Sequence, residues 1–146
     1  FFAVAGRLGV PSFLGGDDLH ALRDAGMRIG CHGMAHQPWK GLSAEALEEE
    51  LVVARERIAE AAGQPVREAA CPFGRYDRSV IRALRQAGYT RVYTSDRGPA
   101  RAGAWLTPRN TVSRDDTAET VAAMLEPWPT SQRWQAGLKQ LIKRWR

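Results

Sequence analysis

Two of the three histidines in this 146-residue chain, His32 and His36, stand four apart in the stretch Arg-Ile-Gly-Cys-His-Gly-Met-Ala-His-Gln-Pro-Trp, residues 28–39. Two neutral imidazoles held this close can share one divalent ion, because their ring nitrogens suit zinc, iron, nickel or cobalt. Two ligands are not a site, and a third has to come from elsewhere in the fold. The competing reading is a pair of loop histidines bonded to backbone. Met27, Ile29 and Cys31 alternate with polar or small neighbours as in a short strand, and Gly33 and Pro38 then punctuate a loop. Both histidines therefore fall at a strand's end and in the loop after it, where α/β folds place their sites.

The elements that must position them can be followed along the chain. Phe1 to Ala5 is an apolar run that reads as a buried strand already under way at residue 1, which suggests a chain cut from something longer. A loop over 6–16 leads to a short helix that Asp17 or Asp18 caps, with Leu19 and Leu22 inward and Gly26 as its stop. After the histidine strand, Ser43 caps the clearest helix, which aligns Leu47, Leu51, Ala54, Ile58 and Ala61 on one face and ends at Gly63. Its acidic first turns, Glu45 to Glu50, suit the positive end of the helix dipole. A third strand over 66–71 closes at Pro72-Phe73-Gly74. Asp77 caps a helix that buries Val80, Ile81, Leu84 and Ala87 and stops at Gly88. Strands over 89–94 and 105–112 flank an irregular segment. Asp115 or Asp116 then starts a helix that buries Val121, Met124 and Leu125 and ends before Pro127. The tail, 131–146, repeats Trp134, Leu138, Leu141, Ile142 and Trp145 at helical spacing.

Strands alternating with amphipathic helices predict a mostly parallel sheet with helices outside, open or closed as a barrel. In such folds the strand-to-helix loops share one face. That gathers His32, His36, Trp39, Phe73, Tyr76, Asp77 and Asp96 around one cleft.

Composition sets wider bounds. Hydrophobic content of 44% and charged content of 25% are ordinary for a globular protein. The net charge of +5 is spread along the chain with no recognition motif, which gives no support to a nucleic-acid partner. No apolar run reaches the length of a membrane span. Cys31 and Cys71 are too few for a disulfide framework and read first as buried thiols, although they end neighbouring strands. A cytoplasmic location is the default expectation, with a leader before residue 1 left open.

Taken together, Gly26 to His36, then Cys71-Pro72-Phe73-Gly74-Arg75-Tyr76-Asp77, then Ala87-Gly88-Tyr89, resembles the NodB-homology polysaccharide deacetylases, carbohydrate esterase family four. The first phrase is similar to that family's second motif and the next to its third, usually written with Pro-Tyr-Gly. Phe1 to Val4 resembles the strand that follows its first motif. The resemblance implies a distorted β/α barrel, N-terminally truncated, that hydrolyses N-acetyl or sometimes O-acetyl groups of sugar polymers. It implies His32 and His36 as the two imidazoles of an Asp-His-His site for one divalent ion, zinc by default, which activates water and polarises the acetyl carbonyl. It implies the Phe73 N–H as a donor to the tetrahedral oxyanion. Trp39, Pro72, Gly74, Tyr76 and Asp77 then line a groove for an acetylated glycan, each with a plainer alternative as turn residue, cap or core aromatic. Residues 1–129 form the deacetylase-like domain, and 130–146 a helix packed on it or extending it.

The departures from the family pattern matter as much. The Asp-Asp pair that brings the general base and the third ligand belongs before Phe1. Gly33 stands where Ser or Thr is usual, which removes a hydroxyl that braces the loop, and Ala70 stands where many members carry an arginine. No histidine follows His36 to act as a late general acid, and His20 lies in a helix before the site. Asp96 is the candidate acid, its rival role being a loop carboxylate paired with Arg97 or Arg101. Arg109 resembles a late arginine near the pocket, placed to bind a saccharide carboxylate or a site aspartate, its rival role being an ordinary surface arginine. Three readings follow: an active metal-dependent deacetylase, a catalytically impaired glycan-binding or scaffolding module, and a basic tail helix that contacts an anionic membrane surface or a partner instead of only packing across the barrel.

Overall fold

The computed structural model describes residues 1–126, 128, 129, 138, 141 and 142. In chain order its elements are β1 (Phe2–Ala3), α1 (Gly16–Asp24), β2 (Gly30–Cys31), α2 (Ala44–Glu48), α3 (Ala54–Ala62), β3 (Glu68–Ala70), α4 (Arg78–Gln86), β4 (Arg91–Thr94), β5 (Leu106–Pro108) and α5 (Ala118–Leu125). A π turn, Glu49–Val53, joins α2 to α3. The five strands make one sheet in the order β1-β2-β3-β4-β5, every pair parallel. Strictly sequential order with no reversal is the wall of a β/α barrel and not a doubly wound sheet. Among the described residues that wall is an open arc, with β1 and β5 at its edges. Ala3 lies opposite Cys31, Cys31 opposite Ala69, and Ala70 opposite Tyr93. The strands' carboxyl ends are thus brought side by side.

The helix stripe predicted from spacing covers this sheet. Leu47, Leu51, Ala54 and Ile58 are buried, and Ala62 completes the row in place of the expected Ala61, which stays partly exposed. α3 packs on β2 and α1, and Val80 and Leu84 of α4 are fully buried. Each such Leu or Ile contributes about 1.5–3 kcal/mol by leaving water. Ser43 accepts the Ala46 N–H at 3.2 Å and Asp77 accepts the Val80 N–H at 3.1 Å, as N-caps do.

Local details depart from the spacing argument. α1 starts at Gly16, so Asp18 sits one turn inside and reaches back to accept the Gly15 N–H at 2.7 Å. β2 is short and leaves Met27 exposed. Thr117, not an aspartate, caps α5, while Asp116 closes the preceding turn by accepting the Ser113 N–H. α5 buries none of Val121, Met124 and Leu125 fully. It follows the edge strand β5, and no further strand among the described residues needs covering. The expected tail helix with Trp134 and Trp145 lies largely outside the described residues. The largest departure is Glu50, read from sequence as part of the acidic first turns that suit the helix dipole, which is 1% exposed.

The Asp77 cap allows a direct check. Burial acts to raise this carboxyl, but hydrogen bonds from the Ser79 hydroxyl and the Val80 N–H outweigh it and hold the group below the usual range. Asp77→Ala is expected to cost about 1 kcal/mol in urea unfolding at pH 7. An unfolded aspartate titrates at about 3.9, and the folded one lower. The cap's contribution is therefore present above about pH 4 and lost as pH falls through the lowered folded value, so the gap between wild type and variant should close there.

Candidate active site

β2 hands the chain directly to His32, and the neighbouring β3 presents its last carbonyl to it. His32 Nδ1 lies 2.6 Å from the Ala70 oxygen. A carbonyl only accepts, so Nδ1 carries the proton and Nε2 keeps its lone pair. The ring centroids of His32 and His36 are 4.9 Å apart, and that of Phe73 is 4.8 Å from His36. Burial pushes the His32 pKa down. Charge on His36 and Arg109 pushes the same way, and the Ala70 bond opposes them without reversing the direction. The imidazole is thus neutral at neutral pH, the form a metal requires. In donor type, tautomer and charge the pair suits two positions of a metal site. The described residues hold no group of three His, Cys, Asp or Glu side chains able to complete it.

Phe73 belongs to a 3-10 turn, Pro72–Gly74, that follows β3. Its φ is 55° and that of Gly74 is 63°. A side chain at Gly74 would place its Cβ 2.6 Å from the Ser95 Cβ and 2.8 Å from the Ser95 nitrogen, so glycine is required by space as well as by backbone. Phe73 has no such excuse. Together with His36, at φ 54°, it is one of four non-glycine residues with positive φ among those described, and the two touch each other. Strain of this kind costs on the order of 1–3 kcal/mol per residue and gathers at functional sites.

The remaining candidates divide. Arg109 follows β5, half-buried, its guanidinium 5.6 Å from the centre of the Phe2 ring, and its charge reaches His32. Phe2 in turn flanks His32 at 6.4 Å between centroids. Phe73 is 62% exposed beside His36. Trp39 and Tyr76, by contrast, are core residues, 0% and 2% exposed, which corrects their reading as groove walls. The Trp39 indole turns inward to donate to Glu50, and the Tyr76 hydroxyl donates to Asp96 at 2.6 Å. Pro72 and Gly74 are likewise buried, and Asp77 serves as the α4 cap. Asp96 also accepts from the Thr94 hydroxyl at 2.9 Å. Cys31 and Cys71 are buried and form no disulfide, and burial raises the Cys31 pKa, which disfavours the thiolate a metal would need. His20 lies on α1 beside Gly63, away from the pair.

Glu50 is the residue that spacing alone passed over. It lies three residues after Leu47 and four before Ala54, inside the apolar stripe, and that position was the available signal. Its carboxylate receives the Met34 N–H at 2.8 Å, the Ala35 N–H at 3.1 Å, the Gln37 amide at 2.9 Å and the Trp39 indole at 3.1 Å.

The two left-handed residues of the 3-10 turn make opposite predictions. Gly74→Ala should cost about 1–3 kcal/mol in chemical denaturation, the usual cost of overpacking. Phe73→Asn should leave stability unchanged or raise it by up to about 1 kcal/mol, because asparagine tolerates the left-handed region.

Comparison with known proteins bears on the fold and the family. A family model described as polysaccharide deacetylase matches residues 1–92. A deacetylase from Streptococcus pyogenes, solved in complex with acetate, superposes with a TM-score of 0.79 at 19% identity, covering 86% of this chain and 57% of that one. A polysaccharide deacetylase from Bacillus cereus gives 0.73 at 20% identity over 86% of this chain and 40% of that one. A de-N-acetylase from Aggregatibacter actinomycetemcomitans gives 0.72 at 16% identity over 86% and 64%. At such identities the likeness is one of fold, and the chain spans between 40% and 64% of the length of these three proteins. None of the curated proteins matches it significantly. Matched by the family model over most of its length and sharing the parallel α/β fold of the solved deacetylases, the chain belongs to the polysaccharide deacetylase family.

Proposed function

We propose that the protein is a metal-dependent hydrolase that removes acetyl groups, N-acetyl before O-acetyl, from a glycan. The observation that carries this reading is the histidine pair at the carboxyl ends of the strands, with His32 oriented by the Ala70 carbonyl at 2.6 Å and kept neutral by burial. A glycan-binding relic has no need of two adjacent imidazoles, one of them fixed with its Nε2 lone pair available. His32 and His36 would hold a divalent ion, zinc by default. When bound, it supplies a Lewis acid and lowers the pKa of water, so that hydroxide forms near neutral pH.

The chain's own groups supply the rest. The Ala70 carbonyl holds the His32 tautomer, and Arg109 opposes protonation of that ring while offering a cation to a carboxylate at the site. The Phe73 N–H, on its strained turn, is the donor assigned to the oxyanion that develops as water adds to the acetyl carbonyl. Its exposed ring beside His36 provides the apolar face on which a sugar ring can stack, a role that Trp39 and Tyr76 are too buried to take. Collapse of the tetrahedral species releases acetate, and the departing amine takes up one proton, for which Asp96 is the assigned acid. The third metal ligand and the general base are the roles that the family resemblance gives to an Asp-Asp pair.

Elemental analysis and acetate release, measured on the full-length protein and on a His32→Ala/His36→Ala variant, test the reading. About one metal ion per chain is expected, lost in the variant together with acetate release from N-acetylated oligosaccharides. An intact protein that takes up no divalent metal would refute it. Asp96→Asn is expected to slow acetate release about 10²–10⁴-fold if it is the acid. A near-normal rate would assign the proton to another group.

A further inference from the structure

We infer that Glu50 is a positioning residue for the histidine pair. Its buried carboxylate holds the backbone between His32 and His36 in the one path that brings both rings together. This rests on the metal-site reading above and extends it to a residue on a different element.

A carboxylate that is 1% exposed carries a desolvation penalty of several kcal/mol unless it is compensated. No cation pairs with it among the described residues, so the compensation comes from four N–H donors alone. All four belong to 34–39, the loop that carries His36. Oε1 takes the Ala35 N–H and the Gln37 side-chain amide, the residues on either side of His36. Oε2 takes the Met34 N–H and the Trp39 indole, which tie the two ends of the loop to the same group. The carbonyls face the other way. Gly33 O accepts the Ala5 N–H and Met34 O accepts the Gly6 N–H, both at 2.9 Å, from the turn after β1. The loop is therefore held from both sides, N–H groups by Glu50 and C=O groups by β1's turn. The left-handed backbone of His36 persists because its neighbours are fixed in this way.

Gly33 supplies independent support. Its φ is 86°, and a Cβ there would lie 2.2 Å from Glu50 Oε2 and 3.0 Å from the Trp39 indole nitrogen. The carboxylate occupies the volume that any larger residue at this position would need. The hydroxyl that Gly33 lacks is thus matched by an acceptor delivered from the helix. That acceptor sits in a π turn, a rare element found disproportionately at functional sites.

The test compares Glu50→Gln with wild type in the full-length protein. Glutamine keeps the shape but sets an NH2 against N–H donors, so half the acceptor capacity is lost. Without metal, the expected result is amide hydrogen exchange at Met34 and Ala35 accelerated at least about tenfold and shifted His36 ring resonances, with Cys71 and Val92 protected as in wild type. With Zn²⁺ as the probe, affinity is expected to fall about 10–100-fold, the usual effect of removing an outer support of a ligand. Unchanged exchange and ring resonances, or an unchanged Zn²⁺ affinity, would overturn the proposal. If the wild type itself takes up no Zn²⁺, the metal reading fails, while the metal-free exchange and ring signals still decide whether Glu50 holds the pair. If Glu50→Gln does not fold, Gln37→Ala removes one donor and leaves the carboxylate in place. A several-fold loss of Zn²⁺ affinity supports the proposal, and none overturns it.

Discussion

One buried carboxylate organises the ground on which the site stands. Glu50 gathers four N–H groups from the loop that carries the histidines, with no cation among the described residues to share the charge. Such an arrangement is tolerable only if every acceptor site is filled, so the loop must follow the path that fills them. Gly33, the inward turn of Trp39 and the left-handed backbone at His36 are consequences of that requirement. The helix stripe of Leu47, Leu51, Ala54 and Ile58 in turn fixes the position from which Glu50 reaches the loop. Core packing and site geometry are therefore one structure.

The sheet supplies the second constraint. Parallel strands in sequential order bring His32, Cys71, Asp96 and Arg109, each of which follows a strand end, to one rim. The short strands pair through small residues, and this lets the Ala70 carbonyl reach His32 across one strand spacing. Electrostatics at the rim are asymmetric. Burial and the charge of the half-buried Arg109 both disfavour positive charge at His32, which leaves a neutral imidazole beside a cation.

Two of the four left-handed non-glycine residues among those described meet at the same place. His36 and Phe73 both adopt left-handed backbone and contact each other across the mouth, one on the loop after β2 and the other on the turn after β3. Two separate elements each bear a cost at their point of contact. The surrounding hydrogen bonds and the tight fit of Gly74 against Ser95 are what hold it.

Much of this was legible in the residues themselves. Period and punctuation located the strands, the helices capped by Ser43 and Asp77, and the histidine loop, because those signals are local. Motif order was specific enough to name the family before any coordinates. Spacing could not say which aromatics face solvent. Trp39 and Tyr76 went inward because each found a distant partner, Glu50 and Asp96, while the Phe73 ring, beside His36, stays 62% exposed. Nor did the acidic run from Glu45 to Glu50 reveal that its last member is buried, since a carboxylate's burial depends on donors brought from eleven to sixteen residues away. The sequence by itself determined the alternation of elements, the family and the two imidazoles. Only the tertiary structure decided how those imidazoles are held, because the groups that hold them, the Ala70 carbonyl and the Glu50 carboxylate, meet the loop through packing and not through neighbouring positions in the chain.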